Sequence, residues 1–404
     1  MTGLLMVPCV PAFASEPIEQ HKILADDGAP EDFFGFNVAI SGNTAIVGSY
    51  KADDEVKGVN TGSAYIFALS DGIWRQQAKL TAGDGLANDT LGGNVTISGD
   101  TAAAGAIGHD KNGDNSGAAY VFARSGATWG QQAKLTASDG AKGDAFGQSI
   151  AVHGNTMVIG APHDDDKGDG SGSVYIFTRA GTIWTEQVKL TAADGAAGDL
   201  FGISVAVYRD TVLIGADLND EKAPNAGAAY VFVRSGDGWV QQAKLTADDG
   251  ADTDIFGVRV ALYGDTALIS ARRDDDEIMG VDAGSAYIFT RTGMAWNQQA
   301  KLTAPDGAAD DRFGRSVALN GKMALIGAMH HDDRGNDSGA AYIFKRSGHM
   351  WKQHRKLTAA DGKNGDLLGW SAALSEDIAL VAASRSDDRG AESGSAYLFD
   401  LGDE

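Results

Sequence analysis

An acidic turn followed by a Phe-Gly or Leu-Gly step returns seven times along the chain, and nothing else restricts its fold so strongly. A representative copy is Asp139-Gly140-Ala141-Lys142-Gly143-Asp144-Ala145-Phe146-Gly147. The glycine of the step falls at Gly35, Gly92, Gly147, Gly202, Gly257, Gly314 and Gly369, a period of 55 or 57 residues. A period of this size marks an array of one supersecondary unit, because a single unit cannot bury its own faces and must stack on its neighbours. The 404 residues therefore read as one repeat domain over 15–404 rather than as two or three ordinary domains.

Within one repeat the apolar pattern has period 2. Ser149-Ile150-Ala151-Val152 and Thr156-Met157-Val158-Ile159-Gly160-Ala161 flank Gly154-Asn155, a pair that tolerates the positive φ of a tight hairpin. A polar loop, His163 to Gly172, leads to Ser173-Val174-Tyr175-Ile176-Phe177, and Trp184 to Thr191 returns as a fourth strand. The fold class is thus all-β, and each repeat is a four-stranded antiparallel meander. The Tyr and Phe of the third strand, from Tyr65 and Phe67 to Tyr397 and Phe399, are placed to pack between adjacent sheets. Gly48, Gly105, Gly160, Gly215 and Gly327 would let those sheets approach closely.

The array should close. In six repeats a tryptophan lies seven residues after the third-strand phenylalanine, from Phe67 and Trp74 to Phe344 and Trp351. After Phe399 the chain reaches Glu404 before a fourth strand can form, whereas Glu19-Gln20-His21-Lys22-Ile23-Leu24-Ala25 aligns with the fourth-strand segment Gln76 to Ala82. Pairing the two ends removes two exposed strand edges. The expectation is a seven-bladed β-propeller with blades at 33–82, 90–137, 145–192, 200–247, 255–304, 312–359 and 367–401, the last completed by 16–25.

Three aspartates recur in every blade. The first lies in the Asp-Gly turn (Asp139 in the third copy), the second five residues on (Asp144), and the third between strands two and three (Asp165). A meander puts all of these positions at the same end of the ring, giving an acidic face. One reading is calcium, which takes six to eight oxygen ligands. The candidate ligands are Asp110, Asn112 and Asp114 in one loop and Asp164, Asp165, Asp166 and Asp169 in another. The other reading is that the carboxylates accept backbone N–H groups and hold the loops in shape. Loop histidines His109, His163, His330 and His331 sit on blades too far apart to share a transition metal.

Phe146-Gly147 with Gly160-Ala161-Pro162, repeated in degenerate form in every blade, resembles the FG-GAP repeat proteins, the group that includes the integrin α-subunit propeller. The resemblance spans nearly the whole chain. It implies an extracellular binding or adhesion module, often calcium-loaded, with a minority of members acting as enzymes. The integrin-type calcium loop lies between the first two strands of a blade, where this chain has only a two-residue turn such as Gly154-Asn155, so that site does not carry over.

Composition narrows the function classes. A net charge of -22 repels nucleic acid and anionic membranes and favours cations and basic surfaces. Residues 1–14 are apolar and end Ala12-Phe13-Ala14, the form of a secretion signal, and they contain Cys9, the only cysteine. No stretch is long and apolar enough to span a bilayer. These features point to a monomeric, secreted or surface module, with the periplasm as another destination, that recognises a protein or glycan through the acidic face. The alternatives are an extracellular polysaccharide lyase or hydrolase and a structural envelope component. No carboxylate pair stands out from its seven copies, which argues against catalysis. Two places do break the symmetry. Phe36 and Trp370 follow the Phe/Leu-Gly step on blades that closure makes neighbours, as a ligand-stacking pair or as filling for the seam. Arg272-Arg273 replaces small residues after a second strand, where a salt bridge to the acidic loops is expected.

Overall fold

A computed structural model describes residues 20–402, so the leader at 1–14 lies outside the described residues. Twenty-eight strands form seven four-stranded antiparallel sheets, and no helix occurs among the described residues. Six sheets are sequential meanders. In blade 3, Ser149–His153 pairs with Thr156–Ala161, which pairs with Ser173–Ala180, which pairs with Ile183–Leu190. First strands of neighbouring blades touch all the way round, including that of blade 7 against that of blade 1.

The seventh sheet is the exception that closes the ring. Its inner three strands are Leu368–Ser375, Ile378–Ala383 and Ser395–Asp400, and its outer strand is Gln20–Ile23 from the other end of the chain. The register is specific: Lys22 lies opposite Tyr397 as Lys79 lies opposite Tyr65 and Lys189 opposite Tyr175. The N-terminal strand thus reproduces the pairing of an ordinary fourth strand.

The core is divided into seven slabs, each between two adjacent sheets. In five blades the ring before the repeat glycine meets the third-strand aromatics of its own blade, and Leu91 and Leu368 take its place in blades 2 and 7. Phe146 is fully buried and lies edge-on to Tyr175 at 5.4 Å and Phe177 at 6.1 Å between centroids, a favourable quadrupole arrangement. At the channel wall the blades meet backbone to backbone. A Cβ on Gly160 would overlap the carbonyl oxygen of Gly202 in the next blade, and the same holds for Gly48, Gly105, Gly215 and Gly327. Ser270 and Ala382 occupy this position in blades 5 and 7. On the outer edge blades 2 to 6 are each tied to the previous one by a tryptophan indole donating to a glutamine, as in Trp129 to Gln77 (2.9 Å) and Trp184 to Gln132 (2.9 Å).

Overlap at Gly160 has no flexible side chain to relieve it, so Gly160→Ala should destabilise the protein by about 1–3 kcal/mol. Gly130, with open space around its Cβ direction, is the control. Urea denaturation should show a clearly lowered midpoint for Gly160→Ala and little change for Gly130→Ala; equal midpoints would contradict the backbone contact.

Candidate functional site: the acidic rim

The linker preceding each first strand and the loop joining strands two and three meet at one end of the ring, which brings the three aspartate rows together. Two of the rows are tied to backbone. The third-row carboxylates each accept an N–H five or seven residues on, Asp165 from Gly170 (2.8 Å) and Asp110 from Asn115 (2.8 Å), in all seven blades. The second-row carboxylates each accept the N–H three residues back, Asp144 from Ala141 (2.6 Å), again in all seven. These are the Asx-type interactions that give a loop a fixed shape. Burial raises the carboxyls of Asp32, Asp89, Asp144, Asp254, Asp311 and Asp366, Asp254 to about 6 with Asp274 and Asp275 adding repulsion.

The first row is held by lysines that sequence reasoning missed. Lys22, Lys79, Lys134, Lys189, Lys244, Lys301 and Lys356 project from the fourth strands and reach Asp361, Asp27, Asp84, Asp139, Asp194, Asp249 and Asp306 at 2.6–2.8 Å. Each ammonium also lies 5.3–5.5 Å from the ring centre of the third-strand tyrosine, a cation–π distance. In blades 2, 3, 6 and 7 that tyrosine hydroxyl donates to the same aspartate. Burial alone would raise Asp139, but Lys189 and the Tyr175 hydroxyl outweigh it and hold the carboxyl below its ordinary range. The recurring Lys-Leu-Thr segment was the available signal, yet each lysine lies 50 or 52 residues after its aspartate, or 339 before it, and no local period links them.

The candidate calcium ligands are not gathered into one cage. Asp110 is engaged with Asn115, Asn112 donates its amide to the Ala137 carbonyl (3.2 Å), and Asp114 pairs with Lys142 in solvent. In blade 3, Asp164 and Asp166 converge, but on the Lys189 ammonium (3.0 and 2.7 Å), while Asp165 turns to Gly170 and Asp169 offers its carbonyl to Gly198. The buried Asp164 also accepts from Ser173 and Tyr175. A calcium ion needs six to eight converging oxygens, and these residues do not fit it. Among the described residues one group has metal-ligand spacing, Asp306, His331 and Asp333, with ligand atoms within 4.8 Å. Lys356 stands among them, 2.8 Å from Asp306, 3.2 Å from His331 Nε2 and against Asp333. His109 likewise meets Lys134, and His163 and His330 contribute to no shared cluster.

Phe36 and Trp370 do meet, with centroids 5.5 Å apart and the Trp370 indole donating to the Phe36 carbonyl (3.1 Å). They line the central channel at the seam of blades 7 and 1 rather than the outer rim. Among the described residues Arg272 and Arg273 form no ion pair with the acidic loops, contrary to expectation. The charges acting on Arg272 are Arg259, Arg312, Asp217 and Arg273, and the carboxylate among them is Asp217 of the preceding blade. Two further departures from the repeat are the loops of blades 1 and 5, longer by two residues, which account for the 57-residue spacings. Each forms a miniature hairpin (Asp54 with Gly58, Asp276 with Gly280) whose tip leaves Val56 at 93 % and Ile278 at 95 % exposure.

Two expectations follow from these charges. Lys189→Met strands the buried Asp164 carboxylate and should cost about 3 kcal/mol in a denaturation midpoint, whereas Lys142→Met, in an exposed pair, should change little. Asp254 binds its proton more tightly folded than unfolded, so thermal stability should rise as pH falls from 7.5 towards 5. It should then fall below pH about 4 as the lysine-paired first row is protonated. Asp254→Asn should flatten the upper limb; a limb of unchanged slope would contradict the burial of this carboxyl.

Comparison with known proteins agrees with the geometry. No curated protein matches the sequence. Among solved structures, a chain of the "Crystal Structure of Mitotic Checkpoint Complex" is similar over 100 % of both chains with a TM-score of 0.56 at 10 % identity, a likeness of fold alone. The family model described as "FG-GAP repeat" matches residues 18–67, 74–122, 129–177, 184–232, 239–289, 296–344 and 351–399. Each match after the first starts on the fourth strand of one blade and ends on the third strand of the next, the same one-strand offset that the ring uses to close. With seven repeats covering most of its length, the chain belongs to the FG-GAP repeat family.

Proposed function

We propose that this protein is a non-catalytic binding module, monomeric and acting outside the cytoplasm, that docks a protein partner on its acidic rim. The observation that carries this reading is the pair of apolar hairpin tips standing out of that rim. Val56 with Val59 on blade 1 and Ile278 with Val281 on blade 5 are exposed among carboxylates. Aliphatic knobs surrounded by negative charge suit a partner with apolar sockets in a basic surface, the charge steering the encounter and the knobs supplying buried area. A glycan would be better served by exposed aromatic faces. The tips come from the two repeats that depart from the 55-residue period, and the rest of the rim supports them as a rigid frame. The apolar leader ending Ala12-Phe13-Ala14 supports an extracellular or cell-surface setting.

In this reading lysine replaces calcium as the rim's counter-ion. Melting temperature in excess calcium should therefore equal that in chelator; a saturable rise with calcium would restore the ion to the account. The partner class is tested by arraying the purified protein on peptides and glycans and assaying polysaccharide incubations for released sugar ends. Expected are lysine- or arginine-rich peptide hits that weaken with ionic strength and vanish in the Val56→Asp, Ile278→Asp double variant. Hits confined to glycans would reject the protein partner, and released sugar ends would favour a hydrolase or lyase.

A further inference from the structure

The central channel holds a second site of opposite charge. Its cavity of about 250 Å³ is lined by the first strands of all seven blades. Six of the seven wall positions pin one blade to the next by a side chain. Asn37 and Asn94 accept Val95 and Ile150 N–H, Ser371 accepts Val38 N–H, and Ser149, Ser204 and Ser316 donate to the Gly202, Gly257 and Gly369 carbonyls. The seventh position is Arg259, whose side chain makes no such pin among the described residues and donates to the carbonyl of the adjacent Val258.

Next to it the repeat breaks again. Arg315 is 7 % exposed, lines the cavity, lies 4.0 Å from the Trp370 ring centre and leaves its Nε without a partner. Arg272 also has an unpartnered Nε, and Asp217, the equivalent residue of blade 4, has an unpartnered Oδ1. Ser384 Oγ, at the same position in blade 7, is unpartnered too. Four of the seven buried polar atoms that lack partners among the described residues therefore belong to this one sector. Asp217 acts on Arg259 and Arg272, whereas the charges acting on Arg315 are the guanidiniums of Arg259, Arg272 and Arg312, inside a protein of net charge -22. Burial lowers all three arginines, and neighbouring guanidiniums add to the pull on Arg272 and Arg315. Buried charge of one sign in excess of its counter-charge is unfavourable, and buried polar atoms without partners are rare in folded proteins.

We propose that the channel between blades 5 and 7 binds a small, multiply charged oxyanion, of which phosphate is the model, held by the Arg259 and Arg315 guanidiniums with Arg272 as a third positive charge. The planar fork of arginine matches two oxygens of such an anion, and the Trp370 face fixes the fork of Arg315. The site goes beyond the rim reading and does not depend on it, since its residues lie inside the ring.

Calorimetry on the full chain at constant ionic strength, with chloride as background, tests this using inorganic phosphate, sulfate, malonate and glycerol phosphate. Saturable binding of at least one is expected, and the last arm separates a free anion from a phosphoryl group on a larger molecule. Arg315→Gln should weaken binding at least about tenfold while melting no lower than the wild type without anion, because it removes an uncompensated charge. Arg315→Lys, which keeps charge but loses the fork, should fall between, and Arg75→Gln on the exposed outer edge should bind normally. Absence of saturable binding to all four probes by the wild type, or undiminished binding by the Arg259→Gln, Arg315→Gln double variant, would overturn the proposal.

Discussion

Backbone-to-backbone contact between neighbouring blades at the channel wall sets the geometry from which everything else follows. With Gly160 beneath the Gly202 carbonyl, and its equivalents repeated in most of the ring, inner strands lie closer than any side chain would permit. Sheets that converge on an axis and splay outward leave wedge-shaped gaps, and these are filled by the Phe, Tyr and aliphatic slabs. In blades 5 and 7 Ser270 and Ala382 stand in place of the glycine and face Gly314 and Gly35 of the next blade. It is also near those interfaces that Arg259, Arg315 and Trp370 line the channel.

The ring fixes the rim, and the rim is held mainly by hydrogen bonds. Two of the three aspartate rows are carboxylates bonded to loop N–H groups, so their repetition is explained by loop shape without a ligand. The lysine pairs add less than their number suggests, since the first-row carboxylates are about half exposed and pairs of this kind contribute roughly 0–1 kcal/mol each. Their larger effect is on charge. An ammonium placed among two or three carboxylates removes the repulsion that would otherwise favour a divalent ion.

Much of this fold was legible in the sequence because its signals are local and repeated. The Phe/Leu-Gly step, the Gly-Asn hairpins and the orphan strand containing Lys22 each specify a nearby conformation, and repetition multiplies the evidence. The three aspartate rows were legible for the same reason. What was not legible depends on side chains brought together from distant strands. Lys189 and Asp139 are 50 residues apart, and Arg259, Arg272, Arg315 and Trp370 come from three blades. Sequence placed Arg272 in a salt bridge to the acidic loops, but the carboxylate acting on it is Asp217 of the preceding blade. The Phe36 and Trp370 contact was foreseen because closure alone makes their blades adjacent.

The account rests on Gln20–Ile23 serving as the outer strand of the last sheet. Hydrogen exchange of the intact protein tests this most directly, by comparing amides in 20–23 and 396–399 with those in the equivalent strands of blade 3. Protection of both segments, with exchange rates close to those of 174–177 and 186–190, is the predicted result. Exchange of 20–23 at the rate of an unstructured peptide while the other blades stay protected would contradict the closed ring.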